Sequence, residues 1–241
     1  MADFNPELKV QQIGFKENVN KWIHPFRCII AGPTSSGKST FMLKMVEHQK
    51  SIFTTEFSRI MYCIPAHNAA LHDDYFKKLQ GFCPNVELIL GLPKPNVIKS
   101  DTLPKLLLID DLVKPLLKDP FMEECFVQNS HHSGCSIAFC TQNYFEASKS
   151  KTIVRQCNYK VFFNDPCDKT LLRNIGAQIE PTGPQLLIKA FKLLYSLKPK
   201  DDFQYILIDG DTQSAMKNNL FIRTDIFPVN GVIRPICFVL K

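Results

Sequence analysis

Apolar positions in this chain fall into short runs separated by segments of helical spacing. Residues 26–31, Phe-Arg-Cys-Ile-Ile-Ala, form an apolar run that stops at Gly32, the pattern of a buried strand. From 38 to 50 the period changes, and Phe41, Met42, Met45 and Val46 share one face of a helix. Further strands are expected at 58–64, stopped by Pro65, and at 86–90, 106–109, 135–140 and 159–163. Helices are expected at about 69–80, where Leu71, Tyr75 and Leu79 recur at i, i+4 and i+8, and at about 115–130, 168–178 and 184–197. The stretch 91–105 carries Pro93, Pro95 and Pro104 and reads as a loop. Strands at 203–208 and 219–224 lie close enough to pair as an antiparallel edge. Residues 1–21 are polar and mixed and read as an arm before a single domain over 22–241. Strands alternating with helices predict an α/β fold: a mainly parallel sheet covered on both faces, a three-layer sandwich.

Composition narrows the classes without choosing one. A chain of 241 residues that is 45% hydrophobic can bury roughly 70–75% of the surface its unfolded form exposes, which suits one large domain. With 29 Lys+Arg against 23 Asp+Glu, the formal charge of +6 suits a polyanion partner and equally an ordinary enzyme. None of the nine cysteines forms a Cys-x-x-Cys pair, which argues against a zinc site. Several, such as Cys28 and Cys140, sit in apolar runs and read as buried, reduced thiols. An odd cysteine count and a start without a signal-peptide pattern point to an intracellular, reducing compartment. No run of eighteen apolar residues occurs, so no membrane span is expected.

The chemistry is carried by the segment after the first buried strand. Gly32, Pro33, Thr34, Ser35, Ser36, Gly37, Lys38, Ser39 and Thr40 spell Gly-x-x-x-x-Gly-Lys-Ser-Thr, a phosphate-binding loop. Its glycines free the backbone to turn N–H groups onto phosphates at a helix N-terminus. Lys38 supplies a point charge to the β and γ phosphates, and the Ser39 hydroxyl reaches Mg²⁺. The loop has the context the motif requires, a strand before it and a helix after it.

A second element is Leu106-Leu107-Leu108-Ile109-Asp110-Asp111, an apolar strand with acids at its C-terminal end, where open α/β sheets bind ligands. Asp110 is expected to orient Mg²⁺ through its water shell and Asp111 to polarise an attacking water, a position where most motor ATPases place Glu. Strands at 58–64 and 86–90 intervene between the loop strand and the Asp-Asp strand, an inserted-strand order typical of motor-type P-loop ATPases. Gln142 follows the next strand and can touch both γ phosphate and water. Arg155 can serve a neighbouring subunit as an arginine finger or form a surface ion pair, whereas Arg223 reads as structural. His131-His132 read as helix-end residues, Arg173 as a solvated helix face, and Lys149 and Lys151 as a solvated loop that could touch a DNA backbone.

These motifs together resemble a known family. Residues 24–40, His-Pro-Phe-Arg-Cys-Ile-Ile-Ala-Gly-Pro-Thr-Ser-Ser-Gly-Lys-Ser-Thr, are similar to the first motif of the genome-packaging ATPases of large DNA viruses. These form the poxvirus-type branch of the FtsK–HerA superfamily, with close forms in Polinton elements and adintoviruses. Leu-Leu-Ile-Asp-Asp-Leu (107–112) resembles the second motif and Phe-Cys-Thr-Gln-Asn (139–143) the third, with Gln142 as sensor. Residues 155–163 resemble the arginine-containing stretch, and 205–209 and 223–228 the C-terminal segment. Where family members often carry Asn-Pro-Arg-Asp, this chain has Asp165-Pro166-Cys167-Asp168, which leaves Arg155 the better finger candidate. The resemblance spans about 22–228. It implies ATP and Mg²⁺ as cofactors, a homo-oligomeric ring of five or six subunits with ATP at the subunit boundaries, and double-stranded DNA as substrate. It further implies capsid portal or vertex proteins as partners, in an infected cell and in the virion. A small-molecule kinase and a non-motor regulatory NTPase stand as alternatives from the residues alone.

Overall fold

A computed structural model describes residues 8–12, 21–99, 101–129, 134–144, 151–165, 168–180, 183–198, 203–211 and 222–240. Ten strands make one sheet. They are β1 (Leu8–Gln12), β2 (Arg27–Ala31), β3 (Arg59–Ile64), β4 (Val86–Leu90), β5 (Lys105–Ile109), β6 (Cys135–Thr141), β7 (Tyr159–Phe163), β8 (Tyr205–Asp209), β9 (Ile222–Thr224) and β10 (Ile236–Leu240). Their spatial order is β1-β10-β9-β8-β7-β2-β6-β5-β3-β4. The six strands from β7 to β4 run parallel, and the other four add antiparallel.

The strands are buried on both faces because their side chains alternate between two cores. Ile29, Ala31, Leu107, Ile109, Ile137 and Phe139 point into one. Cys28, Ile30, Leu106, Leu108, Ala138 and Cys140 point into the other. Helix α1 (Lys38–Glu47) covers the second face with Phe41, Met42, Met45 and Val46, as its periodicity predicts. The short α2 (Gln49–Ile52) and α3 (Asp73–Phe82) complete that layer. The first face is covered by α4 (Pro95–Ile98), α5 (Val113–Leu116), α6 (Pro120–Glu124), α7 (Lys151–Gln156), α8 (Lys169–Ile179) and α9 (Leu186–Leu197). The result is the expected three-layer α/β sandwich.

Several elements differ from the sequence reading. The strand inserted between the loop strand β2 and the Asp-Asp strand β5 is β6, whereas β3 and β4 lie beyond β5. Order along the chain therefore named the wrong strands for a correct architecture. The continuous helix expected over 115–130 is broken in two. Pro120 disfavours helical backbone at Asp119, and Asp119 becomes an N-cap whose Oδ1 accepts from the N–H of Phe121 at 2.9 Å and of Met122 at 3.1 Å. A π-helical turn over Cys125–Asn129 follows. The loop 91–105 contains the single helical turn α4. Residues 8–12, read as part of an irregular arm, form edge strand β1 against β10, with Leu8 opposite Leu240. The stretch after Gln142 includes α7, which buries Ile153 and Val154. His131, His132, Lys149, Pro166 and Cys167 lie outside the described residues.

The eight described cysteines are free, and all but Cys83 are buried. Burial pushes the thiols of Cys125, Cys135 and Cys157 up to about 12, which keeps them protonated and unreactive. Among the described residues no helix is long and apolar enough to cross a membrane.

Candidate nucleotide site

The loop 32–37 joins the end of β2 to the start of α1 at the C-terminal edge of the parallel strands. Two glycines are dictated by their surroundings. A Cβ on Gly32 would sit 2.6 Å from Phe163 Cβ and 2.8 Å from Ser36 Oγ. Gly37 has φ +105°, and a Cβ there would also strike the Phe203 ring at 2.7 Å. Ser35 holds φ 61° in the same loop. The Gly32 N–H donates to the Thr141 carbonyl at 3.2 Å, tying the loop's entry to the end of β6.

Within the loop, Lys38 folds its ammonium back, donating to the carbonyls of Gly32 at 2.8 Å and Pro33 at 2.7 Å. Burial lowers its pKa, while Cys140, Asp110 and Asp111 act in the opposite sense. The buried Ser36 Oγ has no hydrogen-bond partner among the described residues. A cation whose hydrogen bonds go only to carbonyls and an orphaned hydroxyl inside a glycine loop are the groups an anion with several oxygens would satisfy.

Beside the loop, the Ser39 hydroxyl donates to Asp110 Oδ2 at 3.0 Å. Asp110 is 6% exposed, at the end of β5, and its backbone N–H donates to the Cys63 carbonyl at 2.9 Å. Tyr62, one strand away, donates its hydroxyl to the same Oδ2 at 3.2 Å and lies 2.6 Å from His72 Nδ1. Burial, followed by the Asp110 charge, pushes the Tyr62 hydroxyl well up. It therefore keeps its single proton, which it can donate to Asp110 while accepting from an Nδ1–H of His72. Burial raises the pKa of Asp110, and the bonds from Ser39 and Tyr62 and the charges of His72 and Lys38 oppose that shift. Tyr75 fixes the start of α1 by donating to the Ser39 carbonyl at 2.7 Å.

Asp111 behaves differently from its neighbour. It is exposed, has φ 55°, a conformation that Asp tolerates, and accepts from Asn68 Nδ2 at 3.3 Å. Gln142 is exposed at the end of β6, its Oε1 accepting from the Thr34 hydroxyl at 3.3 Å. Lys38, Ser39, Asp110, Asp111 and Gln142 line one open cleft of about 650 Å³, together with His67 and His72.

The structure therefore brings Thr34, Ser35, Lys38, Ser39, Asp110, Asp111 and Gln142 to one cleft, whereas Gly32, Pro33, Ser36 and Gly37 shape the same loop without lining it, and Thr40, exposed on α1, and Arg155 lie outside it. Arg155 is exposed on α7, just before β7 begins, at the opposite end of the parallel strands from the loop. Arg223 is fully buried in β9 and donates to Asp209 Oδ2 at 2.9 Å, in keeping with a structural role. Arg173 is exposed on α8. Sequence reasoning missed Tyr62, His72, Asn68 and Tyr75. Their only signal is that they follow or end the strand beside the Asp-Asp strand, and that adjacency is not readable along the chain.

The groups present fit Mg²⁺ with a nucleotide. Mg²⁺ keeps several waters and takes one or two protein oxygens plus phosphates, and the Ser39–Asp110 pair beside the loop offers that donor set. Among the described residues there is no cluster of three His, Cys, Asp or Glu that would hold a metal unaided.

Loop, acids and strand order together define the fold as a P-loop NTPase-type three-layer sandwich, with a mainly parallel sheet and an antiparallel edge. No family model matches the sequence, and no curated protein is similar to it. Among solved structures, it is similar to B204, the DNA-packaging ATPase from Sulfolobus Turreted Icosahedral Virus. The identity is 14% and the TM-score 0.47, over 80% of this chain and 95% of that one. A likeness this weak says nothing of activity.

Proposed function

We propose that this chain is an ATPase that drives double-stranded DNA into a preformed viral capsid, working as a ring of five or six identical subunits. The observation that carries hydrolysis is the convergence of Lys38, Ser39, Asp110, Asp111 and Gln142 on one cleft. The translocation part rests on the ordered resemblance of residues 24–40, 107–112 and 139–143 to packaging ATPases, together with the +6 charge.

In this reading Lys38 leaves the Gly32 and Pro33 carbonyls and neutralises the β and γ phosphates of ATP. Ser39 would take Mg²⁺ and Asp110 would orient it through its water shell, and the ion would supply charge neutralisation to the phosphates. Asp111, free to move from Asn68, accepts a proton from the attacking water as its oxygen bonds to the γ phosphorus and ADP departs. Gln142 orients that water. As an arginine finger Arg155 would serve a neighbour's site, because it lies at the opposite end of the parallel strands from its own subunit's loop; the alternative role for it is a surface ion pair. The partners would be DNA, further copies of the chain, and portal or vertex proteins of the capsid, in the infected cell and the virion.

The test is ATP hydrolysis with and without double-stranded DNA, at low and physiological salt. A several-fold stimulation that salt erodes and Lys38→Ala abolishes is expected. Phosphate transfer to an added nucleoside, without DNA stimulation, would replace this reading with a small-molecule kinase. Robust hydrolysis indifferent to DNA would leave a regulatory NTPase.

A further inference from the structure

A second cleft, about 640 Å³ and as large as the first, opens on the other side of α1. Part of its wall is aromatic, beside charged and polar side chains. Phe203 and Phe227 line it, and Lys44 Nζ stands 5.7 Å from the centroid of each ring. Phe203 also packs against the phosphate loop, since its ring occupies the space a side chain on Gly37 would need. Gly37, Phe41 and Lys44 follow one another at i, i+4 and i+7, on one face of α1. Phe41 stacks on Phe203 with centroids 6.3 Å apart and meets Phe227 edge-on at 4.9 Å. A single aromatic surface thus runs from the phosphate loop into this cleft.

We propose that this cleft receives the nucleoside of the triphosphate whose phosphates the loop binds, with a purine base stacked on the Phe203–Phe227 wall. The inference rests on the phosphate-loop reading and adds where the base goes and how it is chosen. Base faces stack on aromatic rings whatever their sequence identity, and Lys44, which now lies over both rings, would swing aside to cover the outer face of the base. Of the polar groups on the cleft Asp225 and Tyr205 are engaged, whereas Asn230 and Arg234 also line it and can meet a base edge. Asp225 pairs with Lys198, and the Tyr205 hydroxyl is bonded to the Ile226 N–H at 3.0 Å. Stacking area favours purines over pyrimidines. The turn Asn230-Gly231 carries Val229 and Val232 over the mouth of the cleft.

The test compares ATP, GTP, CTP and inorganic tripolyphosphate binding to the full chain with Mg²⁺, by calorimetry. Val232→Trp fills the mouth from a 46% exposed position, and Phe227→Leu is a second variant that keeps bulk while removing the ring. Each is expected to weaken ATP and GTP by roughly tenfold to a hundredfold and to leave tripolyphosphate within twofold. Folded variants that bind ATP as the parent does, or that lose ATP and tripolyphosphate equally, overturn the proposal. CTP binding as tight as ATP also overturns it. Lys38→Ala separates the two readings: it should weaken tripolyphosphate as well. If it leaves tripolyphosphate untouched, the phosphate-loop assignment itself fails.

Discussion

The parallel and antiparallel halves of the sheet are built from similar buried strands, yet they do different work. In the parallel half every strand ends at the same edge, so loops and acids from β2, β5 and β6 meet there. Polar groups at that edge are held under-satisfied: an amine on two carbonyls, an orphaned serine hydroxyl, a buried carboxylate with a raised pKa. In the antiparallel half strand ends alternate and no such focus forms; the buried Arg223 faces Asp209 on the next strand, although its Nε and Nη1 lack partners among the described residues. The contrast teaches that a buried polar group means function where it faces a cleft and architecture where it faces another strand.

The largest effect expected from breaking that contrast is at Lys38. Lys38→Ala removes the one cation of the loop and should lower ATP hydrolysis by roughly 10²–10³-fold or more, with the melting temperature little changed because a buried charge is lost along with its carbonyl bonds. A steady-state assay beside a thermal melt checks both halves of the statement. Asp209→Ala should do the reverse. It leaves Arg223 charged and buried, its Nε and Nη1 already without partners among the described residues. Removing one partner of such a pair costs about 3–5 kcal/mol of stability. Urea denaturation measures this, and nucleotide binding well below the transition should persist. A loss under about 1 kcal/mol would mean that water reaches Arg223.

Between these lies Tyr62, where function and architecture meet. Tyr62→Phe deletes one hydrogen bond to Asp110, worth about 0.5–1.5 kcal/mol, so roughly two- to tenfold more Mg²⁺ should be needed for half-maximal activity. The pH dependence follows from the same bond. Burial raises the Asp110 pKa and the Tyr62 bond lowers it. Mg²⁺ requires the ionised form, so its affinity falls as pH falls, and the fall should begin at a higher pH in Tyr62→Phe. Mg²⁺ titrations across pH decide this; identical profiles would show that Tyr62 does not bear on Asp110.

Much of this was legible in the chain, and for a local reason. The loop 32–40 and the Asp110-Asp111 strand end are short-range patterns whose glycines, lysine and acids serve their immediate neighbours, and the structure brings them to one cleft. What escaped reading depends on partners distant in sequence. β1 exists because Ile236–Leu240 offers it an edge. The apolar run Ile-Cys-Phe-Val-Leu (236–240) is itself a strand pattern. Strand order escaped because β6 enters beside β2 only after β3, β4 and β5 have been laid down in the chain. Tyr62 escaped because a buried tyrosine in a strand looks the same whether its hydroxyl meets a carboxylate or a backbone group.

The smallest effect sharpens the comparison by placing an ion pair where neither half needs it. Arg59 on β3 and Glu87 on edge strand β4 form a two-pronged pair, with Nε–Oε1 and Nη2–Oε2 both 2.7 Å. The bonds from Arg59 hold Glu87 below the usual carboxylate range, with burial opposing. A carboxylate with a depressed pKa adds stability above its unfolded pKa and loses it as pH falls through the folded value. Because the Glu87 side chain is 46% exposed, solvent screens the pair and the contribution is below about 1 kcal/mol. Glu87→Gln should therefore cost a fraction of that at neutral pH and low salt, and nothing in acid or at high salt. Urea denaturation under those three conditions checks it. A cost near that of Asp209→Ala would mean that β4 is covered in solution, and that this edge of the parallel half is buried against another molecule.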